Sequence, residues 1–315
     1  MFSVLFPGQG SQSVGMAKDL YDNFQYRKAR FNEADDVLNM SISKLIFEGP
    51  KELLNETENT QPAIFLVSYA IFEAIKNETS FDISKASFFA GHSLGEYSAL
   101  ACSNVINFKD TIKLLKIRGN AMQNAVPKNK GGMVAVLGED INDIEKIIEN
   151  NRNKFNCFLA NDNTNGQVVI SGKIDDLNEF MTELKKLNIK NIKLPVSAPF
   201  HCMLMSPATQ IMSSKLKEIK FLEPNNKIVS NVTAQPSDNP ENIKNLLIEQ
   251  IEKPVRWRES IINIINQGNK KFIEIGPGKV LSGLVKRIDR NIELFQVNNI
   301  DCLLYTSDAA DEEDS

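Results

Sequence analysis

The sequence predicts an α/β fold with a largely parallel sheet and a small β-α-β-β-α-β unit inserted into it. Short apolar runs alternate with helical periodicity at both ends of the chain, whereas a middle segment follows its own order of strands and helices. The 315 residues, 42% hydrophobic and 24% charged, match a globular chain of one large domain or two ordinary ones.

The first strand is expected over Phe2 to Phe6, followed by a helix over Pro62 to Ile75, a strand over Ser87 to Ala90 and a helix over Leu94 to Cys102. Strands that alternate with helices need crossovers, so the sheet should be parallel and covered on its faces. The pattern resumes with strands at Ile228 to Val232, Phe272 to Ile275 and Leu294 to Val297. Helices near Ile243 to Ile251, Ser260 to Ile265 and Lys279 to Ile288 separate them. One sheet is therefore expected to draw strands from both ends of the sequence.

Between these halves the order is strand Met133 to Leu137, helix Ile141 to Asn150, strand Cys157 to Ala160, strand Gln167 to Ser171, helix Ile174 to Leu187 and strand Lys190 to Val196. That is the split unit of ferredoxin-like domains. The run Asn161-Asp162-Asn163-Thr164-Asn165-Gly166 suits the hairpin turn between its middle strands. A small domain at 130–195 is thus expected inside a large one formed by 1–129 and 196–300, with a disordered tail at 301–315 that has no periodicity and few apolar residues.

The formal net charge of −4 supplies no basic field, which argues against nucleic acid as a partner. Cys102, Cys157, Cys202 and Cys302 form no C-x-x-C pair, so reduced thiols are expected and no metal site or disulfide framework. The start, Met1-Phe2-Ser3-Val4-Leu5-Phe6, lacks a basic n-region, and no stretch approaches the roughly 18 to 20 apolar residues of a membrane span. A cytoplasmic protein without membrane contact is the expectation.

The chemistry is concentrated in Gly91-His92-Ser93-Leu94-Gly95. In a G-x-S-x-G elbow the serine sits on a tight strand-to-helix turn, and flanking glycines spare it Cβ clashes. The helix from Leu94 would aim its N-terminal N–H groups at the reaction centre. A serine needs a base, usually histidine, and the chain holds two, His92 and His201. His92 adjoins Ser93, and side chains diverge on such a turn, which leaves His201 in Pro195-Val196-Ser197-Ala198-Pro199-Phe200-His201. Asp110, Asp175 and Glu274 offer no motif that selects a triad acid, so a main-chain carbonyl or an amide side chain is open as the group that orients His201.

Taken together, Phe6-Pro7-Gly8-Gln9-Gly10-Ser11-Gln12, Gly91-His92-Ser93-Leu94-Gly95-Glu96, Ser197-Ala198-Pro199-Phe200-His201 and Glu274-Ile275-Gly276-Pro277-Gly278-Lys279-Val280-Leu281 resemble the malonyl-CoA:acyl carrier protein transacylases of type II fatty acid synthesis. The resemblance spans residues 1 to about 298 and implies an α/β-hydrolase-like large domain with a ferredoxin-like insertion. It implies a ping-pong transfer of malonyl from malonyl-CoA through Ser93, activated by His201, to the phosphopantetheine thiol of a transiently bound acyl carrier protein. The backbone N–H groups of Gln9 and Leu94 would form the oxyanion hole, Arg118 would grip the malonyl carboxylate, and Gln250 would help hold His201. Phe200 is similar to the residue of malonyl-selecting relatives. A monomer, no cofactor and a basic patch near the site's mouth complete the expectation. Two other readings are a hydrolase that passes the acyl group to water and a scaffold that binds carrier without catalysis.

Overall fold

The computed structural model describes residues 1–196, 198–299 and 301–302. The expected tail falls, from residue 303 onward, outside the described residues, as do Ser197 and Ile300.

The strands are β1 Phe2–Phe6, β2 Phe88–Gly91, β3 Gly131–Leu137, β4 Cys157–Thr164, β5 Gln167–Lys173, β6 Lys190–Lys193, β7 Lys227–Val229, β8 Pro236–Ser237, β9 Lys271–Ile275 and β10 Glu293–Val297. One sheet has the order β10-β9-β1-β2-β7-β8, and its pairings are parallel except β7 with β8. Strands from the two ends of the chain meet at β1, which lies between β2 and β9.

Both faces of this sheet are buried, as parallel strands require. Successive side chains point to opposite faces, so Val4 and Phe6 join the core formed with the Thr57–Glu78 and Phe108–Asn124 helices. Leu5, between them, packs with Phe272 and with Trp257 and Ile261 of the Trp257–Asn266 helix. The same alternation sends Phe89 to the first side and Phe88 and Ala90 to the second.

The middle segment forms a second, antiparallel sheet of order β4-β5-β3-β6. Val134 and Val136 of β3 and Val168 and Ile170 of β5 face the Ile141–Asn150 and Ile174–Lys186 helices. The alternate residues Met133, Ala135 and Val169 turn the other way and pack into the large core. That face covers the carboxyl end of the parallel sheet, where ligands of open α/β sheets bind.

Several spans depart from the expected ones: the helix expected from Pro62 begins at Thr57, the one expected from Ser260 begins at Trp257, and strand β6 stops at Lys193 rather than Val196. The polar run Asn161 to Thr164 is strand, not turn, and the hairpin shrinks to Asn165-Gly166. The outer edge of β4 explains this, because Asp162 N–H donates to the Val255 carbonyl at 2.9 Å and Val255 N–H to the Ala160 carbonyl at 2.8 Å. Asp162, 1% exposed, also takes two bonds from Arg258 Nε at 3.0 Å. Strand β7 ends at Val229 rather than Val232, which frees Asn231 to turn toward the elbow. Among the described residues no helix is long and apolar enough to cross a membrane, and all four cysteines are free thiols.

Candidate active site

Strand β2 delivers the chain to Ser93, which adopts φ 54° and ψ −110° before the Leu94–Cys102 helix begins. Such angles are strained for a residue with a Cβ, and the surroundings hold them. A Cβ on Gly91 would lie 1.9 Å from the Gly95 carbonyl carbon, and one on Gly95 would lie 2.1 Å from the Phe6 oxygen. Strand β1, strand β2 and the helix thus converge too closely for any residue but glycine at these two points.

His201 also has positive φ, 57°, and is buried. Its Nδ1–H donates to the Gln250 carbonyl at 2.8 Å, and since a carbonyl only accepts, Nε2 is left to accept from Ser93 Oγ, also at 2.8 Å. Burial first, and the Arg118 charge second, push His201 down to about 3, opposed by the Gln250 carbonyl. It is therefore a neutral acceptor near pH 7. His92 turns elsewhere: its Nε2 meets Asn163 Oδ1 at 2.9 Å and Asn161 Nδ2 at 3.4 Å.

Arg118 projects from the Phe108–Asn124 helix and is 1% exposed. Its guanidinium donates to Gln61 Oε1 at 2.8 Å, to Gln250 Oε1 at 2.9 Å and to Ser93 Oγ itself at 3.2 Å, and it lies over the Tyr97 ring. Burial lowers its pKa, opposed by Tyr97 and Glu96. Its Nε has no partner. A buried cation with an orphan donor is suited to an anionic ligand.

The Gln250 contribution to His201 is thus its main-chain carbonyl, while its side chain bonds Arg118 and the Ser93 carbonyl. The three acids considered as triad members stand apart. Glu274 accepts from the N–H groups of Leu281 and Ser282 and caps the last helix, Asp110 pairs with Asn107, and Asp175 starts the Ile174–Lys186 helix. The backbone N–H groups of Gln9 and Leu94 make no hydrogen bond within the described residues. A cavity of about 150 Å3 joins Gln9, Leu94, Ser93, Arg118, Phe200 and His201. It shares Gln9, Leu194 and Val196 with a larger groove of about 580 Å3 whose rim carries Lys128 and Lys193.

Among known protein families, the acyl transferase domain family matches residues 4–299. The malonyl CoA-acyl carrier protein transacylase of Bacillus subtilis (strain 168) is 42% identical over 298 residues, which are 94% of this chain and 92% of that protein. The chain belongs to the malonyl-CoA:acyl carrier protein transacylase family. It is an acyltransferase. The crystal structure of an acyl-carrier-protein S-malonyltransferase from Bartonella henselae is 40% identical, with a TM-score of 0.94 over 98% of each chain. A malonyl-transacylase solved in complex with its type II PKS acyl-carrier protein is 38% identical, with a TM-score of 0.93 over 98% of this chain and 99% of that one. The mixed α/β architecture, with its parallel-rich sheet and second antiparallel sheet, is that of these transacylases.

Several residues around the candidate site are not legible in the sequence. Gln61 lies in a helix that reads as apolar, Asn161 and Asn163 read as turn formers, and Asn231 reads as strand. The usable signal for Asn231 is its place just past the carboxyl end of a parallel strand.

Proposed function

We propose that the chain moves a malonyl group from malonyl-CoA to the phosphopantetheine thiol of an acyl carrier protein through a malonyl ester on Ser93. The observation that carries this reading is Arg118, a buried guanidinium 3.2 Å from Ser93 Oγ with an unpaired Nε. Such a cation is of use to an acyl group that ends in a carboxylate. A hydrolase of simple esters has no need of it.

In the first half-reaction Ser93 Oγ bonds to the thioester carbonyl carbon as its proton passes to His201 Nε2, supported by the 2.8 Å contact. The Gln9 and Leu94 N–H groups receive the oxyanion. Its collapse breaks the C–S bond, and the proton on His201 leaves with the coenzyme A thiol. The carrier thiol then repeats the steps in reverse: it gives its proton to His201, its sulfur takes the acyl carbon, and Ser93 recovers the proton as the ester breaks. Arg118 serves both halves by keeping the carboxylate fixed, with Phe200 also lining the cavity. Burial is the larger cause of the depressed His201 pKa and stays in place, but the malonyl carboxylate offsets the second cause, the Arg118 charge, and so favours proton uptake by His201.

The division into a large α/β-hydrolase-like unit, 1–129 with 196–300, and a ferredoxin-like unit at 130–195 is part of this proposal, supported by the β4-β5-β3-β6 order. The groove between them would take the pantetheine arm, and its lysine rim would face an acidic carrier. The test is steady-state turnover of malonyl-CoA with and without carrier. Carrier-dependent loss of malonyl-CoA with malonyl-carrier as product is expected; release of free malonate at the same rate without carrier would establish the hydrolase instead.

A further inference from the structure

A buried carboxylate that the mechanism above does not use lies under the elbow. Glu96 sits in the first turn of the Leu94–Cys102 helix and is 1% exposed. Its Oε2 accepts from the Asn231 N–H at 3.0 Å and from Gln250 Nε2 at 2.8 Å. Both partners hold the elbow. Asn231 Oδ1 accepts from the Ser93 N–H at 2.7 Å, and Asn231 Nδ2 donates to the Gly91 carbonyl at 2.7 Å. Gln250 Nε2 donates to the Ser93 carbonyl at 3.0 Å as well, while its Oε1 accepts from Arg118 at 2.9 Å.

The two ends of an amide have nearly the same shape and opposite hydrogen-bonding sense. Turned over, Gln250 would aim its NH2 at the Arg118 guanidinium, donor against donor, and its oxygen at Glu96 and the Ser93 carbonyl, acceptor against acceptor. Glu96 and Arg118 therefore dictate one orientation from opposite sides. Burial raises Glu96 to about 7 against the pull of Asn231, Gln250 and Arg118, so the carboxylate is kept here at a desolvation cost that a solvent-facing helix residue avoids.

We infer that Glu96 is a positioning residue: it fixes the Gln250 amide and the Asn231 backbone, and through them sets Arg118 against Ser93 and with it the preference for a carboxylated acyl group. This rests on the malonyl-transfer reading. Glu96→Gln keeps the reach and an acceptor oxygen but not the charge; Glu96→Asp keeps the charge but not the reach; Glu96→Ala keeps neither. The readout is the ratio of kcat/KM for malonyl-CoA to that for acetyl-CoA, which does not depend on the fraction of protein folded. Glu96→Gln is expected to stay within about three-fold of the wild-type ratio, and Glu96→Asp and Glu96→Ala to fall roughly ten-fold or more, the loss of one hydrogen bond to a charged group. Should Glu96→Ala not fold, the Gln and Asp variants decide between them. An unmoved ratio in Glu96→Asp, or a ratio lost in Glu96→Gln and kept in Glu96→Asp, overturns the inference. A wild type that accepts malonyl while the variants' ratios stay flat overturns it alone; a wild type that accepts neither acyl group overturns the malonyl reading beneath it.

Discussion

On the proposed malonyl transfer, acyl selectivity rests on Arg118. Its bonds to Gln61, Gln250 and Ser93 fix the guanidinium at the wall of the cavity beside Ser93. Arg118→Ala should cut malonyl transfer by about 10- to 100-fold, the value of a charge-assisted pair, and leave acetyl transfer unchanged or faster. Parallel assays with malonyl-CoA and acetyl-CoA check this, and equal losses would contradict it. Histidine has an unperturbed pKa near 6.5, and a base held lower stays active in more acidic solution. With acetyl-CoA as donor, the acidic limb of kcat/KM should therefore lie below the usual histidine range, because burial and Arg118 depress His201. Removing the Arg118 charge should move that limb upward. The contact between Ser93 and His201 was legible in the sequence because the elbow is local and the chain holds only two histidines. The partner of His201 is Gln250, which the resemblance names, but that its main-chain carbonyl and not its amide takes the Nδ1–H leaves no trace in residue identity.

The elbow works as a unit of β1, β2 and the helix after it, and glycine is the condition of their close approach. Gly95→Ala would press a Cβ to 2.1 Å from the Phe6 carbonyl, a backbone atom that cannot swing aside. We expect a loss of about 2 kcal/mol or more by urea unfolding, together with lower activity from a displaced Ser93. Gly283 supplies the contrast, because it lies inside the Val280–Ile288 helix with nothing within 4 Å of the place a Cβ would take. Gly283→Ala should gain about 0.5 to 1 kcal/mol with activity unchanged. The helices and strands flanking the elbow were legible from periodicity, with the Leu94–Cys102 and Ile141–Asn150 spans matching the reading residue for residue. Strand β4 was not. Asn161, Asp162 and Asn163 carry turn propensity, which pairing with Val255 and the Arg258 contact override through contacts distant in sequence.

Across the whole molecule, the second sheet must sit firmly on the parallel one for Met133 and Val169 to close the cavity over Ser93. The Asp162–Arg258 pair and the β4 pairing with Val255 make that joint. Arg258→Ala leaves a buried carboxylate unpaired and should cost about 3 kcal/mol, with a raised KM for malonyl-CoA. Turning to the rim, Lys128→Glu with Lys193→Glu should raise KM for the carrier several-fold while acylation by malonyl-CoA is unaffected. Single-turnover acylation and steady-state transfer, measured separately, distinguish those two effects. Whether an acyl group rides on Ser93 from one thiol to another is read by intact mass of the protein after brief exposure to malonyl-CoA and again after addition of carrier. One malonyl adduct is expected, absent in Ser93→Ala, that disappears from the protein as it appears on the carrier. An adduct that persists in Ser93→Ala, or one that carrier leaves in place, would contradict transfer by way of Ser93.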